Sequence, residues 1–205
     1  MNGKEYADCY LPFLKRILTS QRLQHSVGVM HVMGELAEIY ALDRTRAMTA
    51  GLLHDAARDL ELERQLALVE EAEITLSYSC ERHPVYLHAL VGAYLVSKEL
   101  GITDDLILDA ISTHSYAGSR DDLDGLFSRC LRAADILAPI QEWKGKERLK
   151  SVVYAGRMDE AALLQCGWLI EFFQERGIPV HPNLVKSFEA LSAKLGVGDS
   201  FFERW

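Results

Sequence analysis

The sequence has few cysteines, no excess of basic residues and no long apolar run. Its four cysteines, Cys9, Cys80, Cys130 and Cys166, form no C-x-x-C pair, which argues against a disulfide framework or a zinc knuckle and favours reduced thiols. Nowhere does the chain offer the roughly 18 uninterrupted apolar residues of a membrane span, and no apolar run follows its first lysine. We therefore expect a cytoplasmic protein with no membrane partner.

The charge balance is acidic, with 22 Lys and Arg against 30 Asp and Glu, a net charge of -8. A surface that lies along a nucleic-acid backbone is therefore not expected. The 205 residues, 49% of them apolar, suffice for one domain with a substantial core. We predict an N-terminal helix over 1–19, a single domain over 20–195 and a C-terminal tail over 196–205.

Apolar residues recur at spacings of three and four, the period of a helix that buries one face, so we predict an all-α fold. Ser20 is predicted to cap a helix that runs to about residue 40, and Asp43 one that ends near residue 57. Pro84 is expected to open a long helix that Gly101 closes. The remaining predictions are a helix capped by Asp59, one capped by Thr103 that ends near His114, one through Asp135 that stops at Pro139, and helices over 159–176 and 182–195.

Several residues of metal-ligand type share their helix face with small or apolar neighbours and therefore point inward. They are His25, His54, His88, His114 and Asp135, and Asp55 follows His54 directly. Imidazole nitrogen and carboxylate oxygen suit iron, manganese and zinc better than calcium. Burying such groups without partners costs on the order of 2 to 7 kcal/mol each. A shared cation is therefore expected among them.

Asp55 lies about 100° around a helix from His54, but its two oxygens can bridge two ions. We predict one set of ligands in His25, His54, Asp55 and Asp135, and a second in Asp55, His88 and His114. The two ions would share Asp55 and a bridging water, spaced roughly 3.5 to 4 Å apart. A lone histidine is more often a core or surface residue than a ligand, and we apply that interpretation to His31, His83 and His181.

Three segments, residues 22–29, 51–58 and 87–95, carry His25, the His54-Asp55 pair and His88. They resemble the HD-domain phosphohydrolase superfamily, and within it the bacterial symmetrical bis(5′-nucleosyl)-tetraphosphatases. The resemblance covers about residues 20–195. It implies a di-iron or similar dinuclear centre that splits diadenosine tetraphosphate into two ADP molecules, with His25, His54, Asp55, His88, His114 and Asp135 as ligands.

The chain departs from that family after two of the ligands. Ser115-Tyr-Ala-Gly118 replaces a Thr-Thr-Gly-like turn, and the segment after Pro139 lacks the family's arginine and has Gln141. Glutamine does not replace the charge of an arginine at a phosphate. We expect Lys144, Lys146 or Arg148 to supply that charge.

The expected reaction is attack of a bridging hydroxide on phosphorus, in line with the leaving ADP. The cofactors are two divalent ions, with iron preferred and manganese or another transition metal as alternatives. Asp55 and Arg58 are the predicted catalytic residues, Arg58 as a phosphate contact or, alternatively, as a cation at a helix C-terminus. His83 is a loop residue or a substrate contact. The weaker candidates for a phosphate contact are Arg22, Arg129 and Arg132.

Two other functions remain open at this point. One is an HD phosphohydrolase acting on a mononucleotide, an alarmone or a cyclic dinucleotide, although the pair His88 and His114 argues against its single-metal members. The other is a non-catalytic metal- or nucleotide-binding module. The aromatic tail and the apolar residues Trp168, Phe172 and Phe173 could serve the core or a homodimer contact.

Overall fold

A computed structural model describes residues 3–117, 125–139, 143 and 145–197, with side chains from residue 9 onward. All regular structure in these ranges is helical, which confirms the all-α prediction. The helices are α1 (Gly3–Ile17), α2 (Ser20–Ile39), α3 (Arg44–Leu53), α4 (Leu62–Glu71), α5 (Pro84–Leu100), α6 (Asp105–Thr113), α7 (Leu126–Leu137), α8 (Lys146–Tyr154), α9 (Met158–Glu175) and α10 (Pro182–Leu195), with a short 3-10 helix at Ser79–Arg82. None of the described helices is long and apolar enough to cross a membrane.

Some of the predicted helix ends are confirmed. The Asp43 carboxylate accepts a hydrogen bond from the backbone N–H of Arg46, at 2.8 Å, and so caps α3. Pro84 is the first residue of α5, and Gly101 follows its last residue in the left-handed conformation, with φ of +67°. Glycine adopts that conformation without the strain that a Cβ adds, which is why the helix stops there.

Three predicted caps are wrong by one or two residues. Thr19 rather than Ser20 caps α2, and Asp104 rather than Thr103 caps α6. Asp59 does not cap α4, which begins after Glu61 without a side-chain cap. The carboxylate of Asp59 instead accepts hydrogen bonds from the backbone N–H and the hydroxyl of Thr19, both at 2.8 Å. Asp59 therefore ties the start of α2 to the segment after α3.

The helix that was predicted to carry the His-Asp pair is shorter and ends before it. It ends at Leu53 instead of near residue 57, and residues 54–59 continue as successive turns. Backbone hydrogen bonds of the i to i+3 type hold these turns, from Ala56 N–H to Leu53 and from Arg58 N–H to Asp55. His54 and Asp55 therefore stand on a turn, where side chains need not follow the helical spacing of about 100°.

Helix α8 has no counterpart among the predicted elements. It follows Gly145, which has φ of +84° and lies against the ring of Trp168, so close that a Cβ there would lie 2.5 Å from it. The start of α8 thus depends on a contact with α9, over 20 positions along the chain, and local periodicity carries no sign of such a contact.

The core consists of two apolar clusters. The larger one includes residues of α2, α3, α5, α6 and α7. Helices α2 and α3 approach so closely that a Cβ on Gly51 would lie 2.9 Å from the Cα of Met30. The smaller one packs Tyr86 against residues of α9 and α10, including Phe173. Phe173 is 2% exposed, and Trp168 and Phe172 pack against the clusters. Phe173 therefore belongs to the core, and Trp168 and Phe172 are partly buried against it. The tail from residue 198 onward lies outside the described residues, and the homodimer stays a prediction.

Candidate metal centre

All six residues predicted as metal ligands come together in the structure. His25 lies on α2, His54 and Asp55 on the turn after α3, His88 on α5, His114 directly after α6, and Asp135 on α7. The first five are at most 5% exposed, and the side chain of Asp135 is 29% exposed. Five separate segments therefore deliver these side chains to one buried place, which agrees with the faces derived from helical periodicity.

The two carboxylate oxygens of Asp55 face two different pairs of imidazoles. Its Oδ2 lies 3.5 Å from Nε2 of His54 and 3.8 Å from Nε2 of His25. Its Oδ1 lies 3.2 Å from Nε2 of His88 and 3.6 Å from Nε2 of His114. Each triad of Asp55 with one pair is compact enough to hold a metal ion.

Asp135 joins the first of these groups. Its Oδ1 lies 2.9 Å from Nε2 of His25 and 3.6 Å from Nε2 of His54. The contact between Asp135 and Nε2 of His25 is short but does not have the geometry of a hydrogen bond. The first group thus comprises His25, His54, Asp55 and Asp135, and the second Asp55, His88 and His114.

Backbone carbonyls orient three of the imidazoles. The Nδ1 of His54 lies 2.9 Å from the carbonyl of Gly51, and that of His114 lies 2.7 Å from Ile111. A proton on Nδ1 that is donated to a carbonyl leaves Nε2 with a free lone pair, the form that binds a metal. The Nδ1 of His88 lies 3.1 Å from the carbonyl of Pro84 and 3.0 Å from Nη1 of Arg58, which would donate to it in the other tautomer.

The inward-facing nitrogens fit a cation because the protein leaves several of them without partners. Both ring nitrogens of His25 and the Nε2 of His54 are buried and make no hydrogen bond. The Nε2 atoms of His88 and His114 face each other at 3.0 Å. A buried polar atom without a partner costs about 1 to 3 kcal/mol, and a divalent transition metal that accepts these lone pairs removes that cost. The donor set is that of iron, manganese or zinc.

The charges at the site favour the metal-binding protonation states of Asp55 and His88 but oppose that of His54. Burial opposes ionisation of Asp55, but the neighbouring His54, His114 and His88 hold the pKa of this carboxyl well below its usual range. Burial, with the nearby His114 and Arg58, lowers the pKa of His88 to about 4, so this imidazole is neutral at pH 7. Despite its burial, His54 has a raised pKa because Asp55 and Asp135 stabilise its imidazolium. A metal that binds there displaces a proton.

A cavity of about 220 Å³ opens beside the two groups. Its wall includes Asp55, His88, His114 and Asp135 together with three arginines, Arg22, Arg58 and Arg132. Arg22 donates a hydrogen bond to Oδ2 of Asp55 at 2.8 Å, and Arg132 is 3% exposed.

The sequence indicates Arg22 and Arg132 only as weaker candidates than Arg58 for a phosphate contact. Each lies three residues before a metal-type residue, Arg22 before His25 and Arg132 before Asp135. Residues three apart share a helix face. This spacing is the sequence signal that would have placed both arginines at the site, whereas Arg129 pairs with Asp159 instead.

His83 and Arg148, two of the other predicted substrate contacts, do not line the described part of the cavity wall. His83 caps α5, its Nδ1 accepting a hydrogen bond from the N–H of Val85 at 3.2 Å. Arg148 lies exposed on α8. Lys144 lies outside the described residues. Roles in substrate binding for these three residues stay predictions. His31 is exposed, as its surface interpretation requires.

His181 is a buried residue, in agreement with the core interpretation of a lone histidine. It caps α10, its Nδ1 accepting a hydrogen bond from the N–H of Asn183 at 3.1 Å. Its ring is fully buried, stacks on Tyr116 at 3.8 Å between centroids, and places Nε2 3.0 Å from a carboxylate oxygen of Glu81. This buried pair joins the 3-10 helix to the start of α10, next to the segment that follows His114.

An all-α fold with a buried His-Asp pair among further histidines is typical of HD domains, and the HD domain family matches residues 22–159 of the chain. The chain belongs to this family. It is 28% identical over 191 residues to the symmetrical bis(5′-nucleosyl)-tetraphosphatase of Bacillus subtilis (strain 168), covering 93% of this chain and 98% of the relative. The protein of the same name from Halalkalibacterium halodurans is also 28% identical, over 88% of this chain and 94% of its own length.

A solved structure agrees with this membership. The crystal structure of a predicted HD superfamily hydrolase involved in NAD metabolism from Clostridium acetobutylicum superposes with a TM-score of 0.82 at 28% identity. The match covers 95% of this chain and 98% of that one. The resemblance to the HD superfamily that the sequence motifs indicated is thus confirmed over nearly the whole fold, and both curated relatives and the solved neighbour are hydrolases by name.

Proposed function

We propose that this HD-domain protein is a phosphohydrolase that cleaves diadenosine tetraphosphate symmetrically into two ADP molecules. The observation that carries the proposal is the position of Asp55, whose two oxygens each face a separate imidazole pair beside a cavity with three arginines. Two cations held in this way suit the hydrolysis of a phosphoric anhydride. The two relatives that carry the name of this activity align over almost their entire length.

We further propose that the site holds two divalent ions, preferably iron, with manganese as the main alternative. His25, His54, Asp55 and Asp135 would hold one ion, and Asp55, His88 and His114 the other. When bound, such ions polarise a phosphoryl oxygen and provide a hydroxide nucleophile near neutral pH.

The residues of the chain have distinct tasks in this scheme. Asp55 links the two groups of imidazoles, and the hydrogen bond from Arg22 fixes the orientation of its carboxylate. Arg58 and Arg132 lie in the wall of the same cavity, where a guanidinium is suited to bind phosphate oxygens with two hydrogen bonds. In the reaction a P–O bond forms to the oxygen of water, and the bond from that phosphorus to the bridging oxygen of the leaving ADP breaks. The arginine side chains of the cavity wall would offset the negative charge that develops on the leaving ADP.

Product analysis tests the proposal. Protein purified without oxygen and loaded with iron(II) or manganese is incubated with diadenosine tetraphosphate, and the nucleotides are separated by chromatography. We expect ADP as the single product, whereas ATP with AMP would indicate asymmetric cleavage. Intact substrate, together with cleavage of a mononucleotide, an alarmone or a cyclic dinucleotide, would replace the proposed activity by another HD phosphohydrolase. Metal binding with no turnover of any of these would indicate the non-catalytic module.

A further inference from the structure

Gln165 on α9 forms part of the cavity wall and is 1% exposed. Both polar atoms of its amide, Oε1 and Nε2, are buried and have no hydrogen-bond partner. Buried side-chain amides in folded proteins nearly always have one. An amide without a partner at the wall of a cavity therefore indicates a ligand that donates a hydrogen bond to Oε1 and accepts one from Nε2.

Part of the cavity wall on the same helix as this amide is apolar. Leu169, Phe172 and Phe173 lie on the same helix and also line the cavity, and Trp143 faces Phe172 with 5.2 Å between the ring centroids. Aromatic side chains of this kind bind nucleobases by stacking, which is tolerant of the base identity. Specificity for one base then has to come from hydrogen bonds to its edge.

We propose that Gln165 is a specificity-determining residue that binds the edge of a purine base in the substrate. The inference rests on the proposed function for the substrate being a nucleotide. A glutamine amide pairs with two adjacent atoms of a base, one acceptor and one donor, as with N7 and the N6 amino group of adenine. The cavity of about 220 Å³ is smaller than the roughly 300 to 1,000 Å³ of sites that enclose a whole drug-sized ligand. It therefore receives one nucleotide end of a dinucleotide, with the phosphates beside the metal-type residues of the same wall.

The test compares the binding of two probes to the manganese-loaded protein by calorimetry. ADP carries a base and two phosphates, and inorganic diphosphate carries the phosphates alone. The variant Gln165→Met keeps the length of the side chain and removes both polar atoms. Because a bidentate contact to a base is lost, we expect its Kd for ADP to rise about 10- to 100-fold. Its Kd for diphosphate stays that of the wild type.

Gln65 on α4 provides the matched control. It is also buried, 2% exposed, and its Oε1 also lacks a hydrogen-bond partner. Its Nε2, however, donates a hydrogen bond to the carbonyl of Leu60 at 2.8 Å, and it does not line the described cavity wall. We expect Gln65→Met to lower the thermal midpoint and to leave ADP binding unchanged. Gln165→Met, which removes two atoms that already lack partners, keeps or raises the midpoint of the nucleotide-free protein.

Three results would overturn the inference. They are an unchanged Kd for ADP in Gln165→Met, an equal loss of affinity for ADP and diphosphate, and a fall in the thermal midpoint as large as that of Gln65→Met. Gln165→Leu repeats the measurement should the methionine variant fold poorly, and a failure of both variants to fold would show that Gln165 is structural.

The inference and the proposed function can fail separately. Wild-type protein that binds ADP through Gln165 but leaves diadenosine tetraphosphate intact would refute the function and support the base site. Symmetric cleavage with the same KM in Gln165→Met would do the reverse.

Discussion

Asp55 should be the one ligand whose loss releases both metals. Its Oδ1 faces His88 and His114, and its Oδ2 faces His25 and His54, at 3.2 to 3.8 Å. The substitution Asp55→Asn preserves the shape of the side chain but removes its charge and one of the two acceptor oxygens. Both groups of ligands are therefore weakened together. A substitution of His114 weakens only the second group.

The size of the effect follows from the number of ligands. A structural zinc site of four ligands binds its ion with about 10 to 16 kcal/mol, so one ligand contributes on average roughly 3 kcal/mol, on the order of 100-fold in affinity. We expect Asp55→Asn to weaken both ions by this order. His114→Ala should weaken one ion by the same order and leave the other at its wild-type affinity.

The assay is elemental analysis of protein purified without oxygen, with circular dichroism as the check on folding. Asp59→Asn is the matched control, because Asp59 lies four residues further on, is exposed, and makes its hydrogen bonds to Thr19. After dialysis against a chelator that the wild-type sites outcompete, we expect about two metals per chain in the wild type and in the Asp59 variant, one in His114→Ala and close to none in Asp55→Asn. Two metals in Asp55→Asn, or the loss of both in His114→Ala, would refute the bridging role.

Three further predictions concern other parts of the molecule. Gly51→Ala should lower the free energy of unfolding by about 1 to 3 kcal/mol, since its Cβ would lie 2.9 Å from the backbone of α2, whereas Gly92→Ala, with its nearest atoms at 3.8 Å, should be tolerated in the same denaturant titration. Burial lowers the pKa of His181, so the unfolded state binds more protons below about pH 6.5 and stability falls as the pH falls; thermal midpoints measured against pH should fall less steeply in His181→Gln, and an unchanged slope would contradict this. Arg58→Gln should lower kcat for a phosphoanhydride substrate on the order of 100-fold with metal content unchanged, and wild-type turnover would show that Arg58 is only a structural cation.

The candidate metal-binding residues were predictable because the sequence pattern gives most of them small, apolar neighbours at helical spacing. In the structure His25, His88 and Asp135 stand on helices, and the others stand directly after one. His88 shares its stripe with Gly92, and His114 lies above Ala110, so the period of about 3.6 residues places their side chains inward. The position of helix ends was less predictable. Ser20 and Thr19, like Thr103 and Asp104, are adjacent residues that can both cap a helix, and the choice between them depends on contacts that local sequence does not specify.

Apart from the candidate metal-binding residues, contacts between residues distant in sequence could not be predicted. The pair of Glu81 and His181 spans 100 positions, and the start of α8 depends on Gly145 lying against Trp168. The environment of Gln165 was likewise not predictable from the sequence. In the sequence it is one polar residue in a mostly apolar helix, α9. Only the structure shows that its amide is buried without a partner at the wall of the cavity.

Gly51 shows how one small residue connects the fold to the chemistry. Without a Cβ it lets α3 approach the backbone of α2 at Val29 and Met30, one turn after His25, and the rings of His25 and His54 come to 5.3 Å between centroids. Its carbonyl also lies 2.9 Å from Nδ1 of His54 and so directs Nε2 of that ring toward Asp55 and Asp135. Because Gly51 provides both the close approach of the helices and the carbonyl that orients His54, a change in helix packing at this position also changes the orientation of the His54 ring. We therefore expect any substitution at Gly51 that the fold survives to weaken the first metal group more than the second.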